Sequence, residues 1–223
     1  SDGLLVTGLM VIPKEKGNYP CIIYNRGGNR NSGRISFKMV QKHLVPFAEN
    51  GYIVIASNYR GNNGSEGKEE FGGVDINDVL NLVPALAKVP GADTSRIGLL
   101  GHSRGGIMTY KALQNKNIFK TAVVIAGETN LLSLIETRPE METFVLSEVI
   151  PNYYENKQKE LENRSVIFWP QKLDKVPLLI LHGNQDKHVD FKETSKLVGK
   201  LEALNHPFQF YTFNNDNHIL KNN

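Results

Sequence analysis

The 223 residues hold a single cysteine, so Cys21 has no internal disulfide partner and no cysteine cluster can bind a metal. Within its apolar run, Cys21 reads as a small core residue. No apolar stretch approaches the ~18 residues of a membrane span. The N-terminus lacks the basic-then-apolar pattern of an export signal. Excess charge is also missing: 26 Lys and Arg against 23 Asp and Glu leave a formal net charge of +3, with no long basic block. Nor do aromatic and basic residues interleave, so nucleic-acid binding has little support. No histidine–carboxylate spacing suggests zinc, and no glycine loop ends in a lysine followed by Ser or Thr. The expectation is therefore one soluble domain over residues 1–223, with no cofactor, no metal, and neither a nucleic acid nor a membrane as partner. A cytoplasmic location is expected by default. The chain opens on Ser1 rather than Met, so a removed leader stays open, as does a homo-oligomer.

What is present is alternation. Short runs rich in Ile, Val and Leu at 21–24, 53–57, 97–100, 121–126, 178–181 and 209–213 read as strands covered on both faces. An N-terminal strand over 4–12 has the character of an antiparallel edge. Between them, helices are predicted at 39–50, 75–88, 105–114 and 191–204, with Pro46 as a kink or as the true start of the first. Strands alternating with helices imply an α/β fold, a mainly parallel central sheet with helices on both faces. Residues 128–169 interrupt that rhythm. Helical spacing around 141–149 and 153–163 suggests a small helical cap insertion, with an irregular crossover as the alternative.

The densest chemical signal is Gly101-His102-Ser103-Arg104-Gly105. A strand ends just before it and a helix begins just after it, which places Ser103 at a sharp turn and calls for flanking glycines where side chains would collide. In an open parallel sheet, ligands bind beyond the carboxyl ends of the strands. Three further polar segments fall there: Asn25-Arg26-Gly27-Gly28-Asn29-Arg30, His182-Gly183-Asn184-Gln185-Asp186, and Asn214-Asn215-Asp216-Asn217-His218. The order serine, aspartate, histidine is that of an α/β-hydrolase sheet. Ser103 is the candidate nucleophile, His218 the base that takes its proton, and Asp186 the acid that orients the imidazole. The backbone N–H groups of Arg104 and Gly28 are candidate donors to an oxyanion.

Rival residues have structural readings. Asp190 has the spacing of a helix N-cap with Glu193 as the reciprocal acid. Asp216 lies only two residues from His218 and reads as a loop former. His206 precedes the last strand at its wrong end, His43 sits on a helix, and His102 is the variable residue of the turn. His182 reads as a satisfied structural histidine, and His188 as solvated. Arg26, Arg30 and Arg34 are either structural or a subsite for a substrate carboxylate. Tyr59-Arg60-Gly61-Asn62-Asn63-Gly64 could line a pocket or cradle an anion, with Arg60 pairing Asp75 or Asp78. Tyr153, Tyr154, Phe168 and Trp169 fit either an apolar pocket under the cap or packing within it.

Taken together, Pro20 to Asn29 with its double glycine, Tyr59-Arg60-Gly61, Gly101 to Gly106 and Pro177 to Val189 resemble the catalytic domain of the prolyl oligopeptidase family of serine hydrolases. The resemblance covers nearly all of the chain. It implies an α/β-hydrolase fold, an enzyme that cleaves an ester or a peptide (amide) bond through an acyl-enzyme, and catalytic roles for Ser103, Asp186 and His218 with Gly28 in the oxyanion loop. The substrate would be a small molecule or short peptide. Three positions depart from the family pattern: Arg26 and Asn29, often His and Pro, and Asn217, commonly Gly. Nothing in the chain could build the β-propeller that many members carry, which leaves a carboxylesterase acting on small acyl esters as the alternative to a serine-type peptidase. A hydrolase-like binding module with an idle triad is the reading from a different class.

Overall fold

The computed structural model describes residues 1–221. Seven strands form one sheet: β1 (Gly8–Val11), β2 (Tyr19–Asn25), β3 (Ile53–Ser57), β4 (Ala92–His102), β5 (Thr121–Ile125), β6 (Leu178–Gly183) and β7 (Phe208–Phe213). Their order is β1-β3-β2-β4-β5-β6-β7, with β1 antiparallel to β3 and every other pair parallel. This is the mainly parallel α/β sheet expected from the alternating apolar runs. Carboxyl ends of the six parallel strands therefore lie along one edge, where polar loops gather.

One face of the sheet carries the main core. Cys21, Ile23, Ile97, Leu99, Val124 and Ile180 are buried there against Val79, Leu86, Met108, Tyr110, Leu197 and Leu201. Leu197 and Leu201 stand four apart on the helix Phe191–Ala203, so both point inward, and burying each contributes about 2 kcal/mol. On the opposite face, Val54 and Ala56 pack beneath Ile35, Val40 and Leu44.

Proline explains where the helices depart from the sequence-based expectation. The segment expected as one helix over 39–50 is a short α-turn Phe37–Met39, a π-turn Val40–Leu44 and an α-helix Val45–Glu49. Pro46 has no N–H and clashes with the carbonyl four residues back; widening the preceding turn lets the helix restart with Pro46 in its first turn. The expected helix over 75–88 breaks for the same reason. Pro84 cannot donate to residue 80, and the chain divides into Asn77–Leu80 and Leu82–Leu86.

Between β5 and β6 the chain makes helices Leu131–Thr137, Pro139–Met141, Ser147–Val149 and Tyr153–Arg164, with a π-turn at Glu142–Leu146. Asn130 caps the first by accepting the N–H groups of Leu132 and Ser133. Leu131, Val145, Leu146, Tyr153 and Leu161 build a second small core that docks on Ile107 and Phe71. Tyr153 is thus packing, Tyr154 and Phe168 are exposed, and Trp169 belongs to the main core, so none of the four lines the cleft at the Ser103 turn.

The tightest crossing lies behind Ser103. A Cβ on Gly105 would collide with the Asn25 carbonyl at the end of β2, and one on Gly106 would stand 2.6 Å from the Cα of Gly127 after β5. Gly105→Ala is expected to cost at least about 3 kcal/mol, because neither backbone segment can yield without moving its strand. A urea titration of the variant against the parent chain measures it.

Candidate active site

Ser103 occupies the turn between β4 and the helix Arg104–Ala112 with φ 57° and ψ −125°, a region that non-glycine residues rarely enter. Its backbone is over-determined. The Ser103 N–H donates to the Ile125 carbonyl at 3.0 Å, while its own carbonyl accepts from Gly106 at 2.8 Å and Glu128 at 3.1 Å. These bonds stabilise the strained conformation and hold Ser103 at one end of an open cleft, about 1550 Å³ in all, that runs along the sheet face as far as Arg96 and Lys120.

The structure brings Ser103, His218 and Asp186 into one hydrogen-bonded line. Ser103 Oγ lies 2.9 Å from His218 Nε2, and His218 Nδ1 lies 2.7 Å from Asp186 Oδ2. A carboxylate only accepts, so His218 carries its proton on Nδ1 in the neutral ring and leaves Nε2 free to accept the serine proton. Asp186 is held from several sides: Oδ2 also accepts from His182 Nε2 at 3.0 Å, and Oδ1 from the N–H groups of His188 and Val189. Burial opposes its charge, but hydrogen bonds from His182 and His218 outweigh burial and hold the carboxyl well below the usual range.

Gly28 and Arg104 line the same cleft as Ser103. Neither backbone N–H has an acceptor within the protein among the described residues. The loop carrying Gly28 is shaped by Arg26, whose buried guanidinium donates to the carbonyls of Gly27, Arg30, Ser32 and Asn58. Arg26 is therefore a structural residue and has no free face for a substrate carboxylate. Arg30 bonds the carbonyl of Phe144 and pairs with Glu148, tying the same loop to the helical insertion. The Arg104 side chain points away into the body, paired with Glu69 and Asp75 across the face of Tyr59.

Those pairings correct one expectation and bear out another. Tyr59 is fully buried beneath Arg26 and Arg104, so the loop it opens is scaffold rather than pocket lining. Arg60 pairs with Asp78, at 2.8 Å, and with Asp2, because Asp75 is already taken by Arg104. Asp190 caps the helix Phe191–Ala203 by accepting from Lys192. Glu193 does not reciprocate, since its carboxylate bonds Lys196 and Asn130.

Of three further residues near the site, His182 bears out its structural reading, His102 has a partner that its place in the turn did not indicate, and Glu128 had no reading of its own. His182 shares the Asp186 oxygen with His218, and its Nδ1 meets the Thr194 hydroxyl at 2.9 Å. His102 Nε2 lies 3.2 Å from the carbonyl of His218, bracing the loop that carries the base. Glu128, the first residue of the insertion, lines the cleft with a carboxyl that burial pushes up to about 7 against two backbone hydrogen bonds. A histidine ending a strand and an acid opening a loop have no spacing signature, so only the fold reveals them.

Comparison with known proteins places this geometry in context. Residues 38–223 match the model of the prolyl oligopeptidase family. The uncharacterized peptidase YtmA of Bacillus subtilis is 30% identical over 219 residues, covering 98% of this chain and 83% of that protein. A second Bacillus subtilis relative, the uncharacterized peptidase YuxL, is 29% identical over 98% of this chain and 34% of its own length. Among solved structures, Pyrococcus horikoshii acylaminoacyl peptidase superposes with a TM-score of 0.80 at 26% identity over 96% of this chain and 35% of that one. The chain thus spans most of YtmA and about a third of the other two.

The raised pKa of Glu128 has a consequence for stability. Between about 4.5, its ordinary value, and about 7, the folded chain keeps a proton that the unfolded chain releases, so its contribution falls as pH rises through that window. Glu128→Gln is expected to gain stability relative to the parent as pH rises from 4.5 to 7.5, read as a widening difference in Tm. A constant difference would mean that the carboxyl ionises normally.

Proposed function

The chain belongs to the prolyl oligopeptidase family, and we propose that it is a serine peptidase whose Ser103, His218 and Asp186 cleave an amide through an acyl-enzyme. The observation that carries this reading is the line Ser103 Oγ–His218 Nε2–Asp186 Oδ2, with contacts of 2.9 and 2.7 Å. As Ser103 attacks the carbonyl carbon, His218 Nε2 takes the hydroxyl proton, and Asp186 stabilises the imidazolium that results. Negative charge developing on the carbonyl oxygen is met by the N–H groups of Gly28 and Arg104. His218 then gives its proton to the departing amine. Water, deprotonated by the same imidazole, releases the acyl group and restores the serine.

A carboxylesterase reading uses the same steps with an alcohol as leaving group, and the Ser103–His218–Asp186 line serves either leaving group. Paired acyl esters and aminoacyl amides of matched acyl group separate the two. Amide turnover supports the peptidase, and ester turnover alone sinks it.

Covalent labelling by a serine-directed phosphonate is expected in the parent chain and absent in Ser103→Ala, which separates an enzyme from an inert binding module. In Asp186→Asn the amide would stabilise the wrong imidazole tautomer and leave the forming imidazolium uncompensated. A fall in kcat of about 10⁴-fold is expected, the scale of the same change in the trypsin triad. Retention of more than a tenth of the parent rate would remove Asp186 from the mechanism.

A further inference from the structure

Glu128 takes no part in the serine–histidine–aspartate line, yet its backbone N–H bonds the carbonyl of Ser103, which fixes it beside the nucleophile. Its side chain is 6% exposed and shares the cleft wall with Ser103, Leu134, Met141 and Val189. The carboxylate is only half satisfied. Oε1 accepts the N–H groups of Thr129 and Asn130, each at 3.0 Å, whereas Oε2 has no protein donor among the described residues.

No neighbouring cation neutralises it. Arg104, on the helix after Ser103, is committed to Glu69 and Asp75, and Arg138, at the end of the insertion's first helix, bonds Glu140 and the carbonyl of His188. Asp186 in the loop after β6 and Glu193 on the following helix add repulsion. His102, His188 and His218, whose rings adjoin one another, also line the cleft. A carboxyl kept in an apolar wall without a partner costs stability, and a ligand cation is what would offset that cost.

We propose that Glu128 is a cation-recognition residue: the pocket beside Ser103 takes substrates bearing an ammonium or guanidinium group next to the scissile bond, held by the open Oε2. This rests on Ser103 being the nucleophile. Leu134, Met141 and Val189 accommodate the methylenes that carry such a group, and their apolar surroundings strengthen its pairing with the carboxylate. The cation has two sources, a basic side chain or the free α-amine of an N-terminal residue.

Three p-nitroanilides with one leaving group distinguish them: N-acetyl-lysine, norleucine with a free α-amine, and N-acetyl-norleucine. In the parent chain at pH 7.5, one cationic probe is expected to exceed the neutral one in kcat/KM by about tenfold to a hundredfold. Which one exceeds it identifies the source. Glu128→Gln brings that ratio to about one, and in the parent the ratio falls as pH drops below 7 and the carboxyl takes up its proton. A ratio near one in the parent, or one that survives Glu128→Gln, overturns the proposal.

Should the anilides turn over too slowly, the rate of phosphonate labelling of Ser103 provides the second measurement. Butylammonium slows labelling more than 1-butanol does in the parent chain, and the two act alike in Glu128→Gln. Equal protection by both in the parent overturns the cation site while leaving the serine nucleophile intact. Absence of labelling in the parent overturns the nucleophile, and the cation site with it.

Discussion

Behind Ser103 three backbone segments meet with no room for a side chain. The helix after the serine is pressed against the end of β2 through Gly105 and against the end of β5 through Gly106 and Gly127. That contact sets the positions of everything else at the site. From β2 the chain proceeds at once to Gly27, where an added Cβ would stand 3.1 Å from the Cβ of Ser103, and to Gly28. From β5 it proceeds to Glu128, whose N–H locks the serine carbonyl. Close packing at the elbow thus positions Ser103, the Gly28 loop and the Glu128 carboxylate by a single constraint.

Asp186 and His218 are positioned differently, by hydrogen bonds instead of contact. Asp186 accepts from two imidazoles and two backbone amides, so its carboxylate cannot turn without breaking several bonds. His182 matters here although it touches no reacting atom. With Nε2 facing the acceptors Asp186 and Val189, it must hold its proton there and take the Thr194 hydroxyl on Nδ1. The result is a fixed negative pole beneath a base that is itself braced by His102.

Much of this was legible in the sequence because it rests on local pattern. β3 runs over Ile53–Ser57, as its apolar residues indicate, and the glycines around Ser103 announce a crowded turn. Helix boundaries were less legible where proline acts on a carbonyl four residues away, as at Pro46 and Pro84. Side-chain partnership was least legible. Arg26 and Arg60 each have several plausible companions in sequence, and only the fold brings Asn58 and Asp78 to them. Glu128 stands in the sequence only as the first residue of the insertion, because nothing local signals that its carboxyl is buried and lines one cleft with Leu134 and Met141.

Arg26 draws the carbonyl of Gly27 toward its buried guanidinium at 3.0 Å. That carbonyl and the N–H of Gly28 belong to one planar peptide unit, and in a trans peptide the two bonds point in opposite directions. Pulling the oxygen inward therefore turns the hydrogen outward. A buried cation beneath the loop thereby orients an amide dipole above it; positive charge in the interior is converted into a partial positive charge on the loop's outer side by the rigidity of a single amide plane.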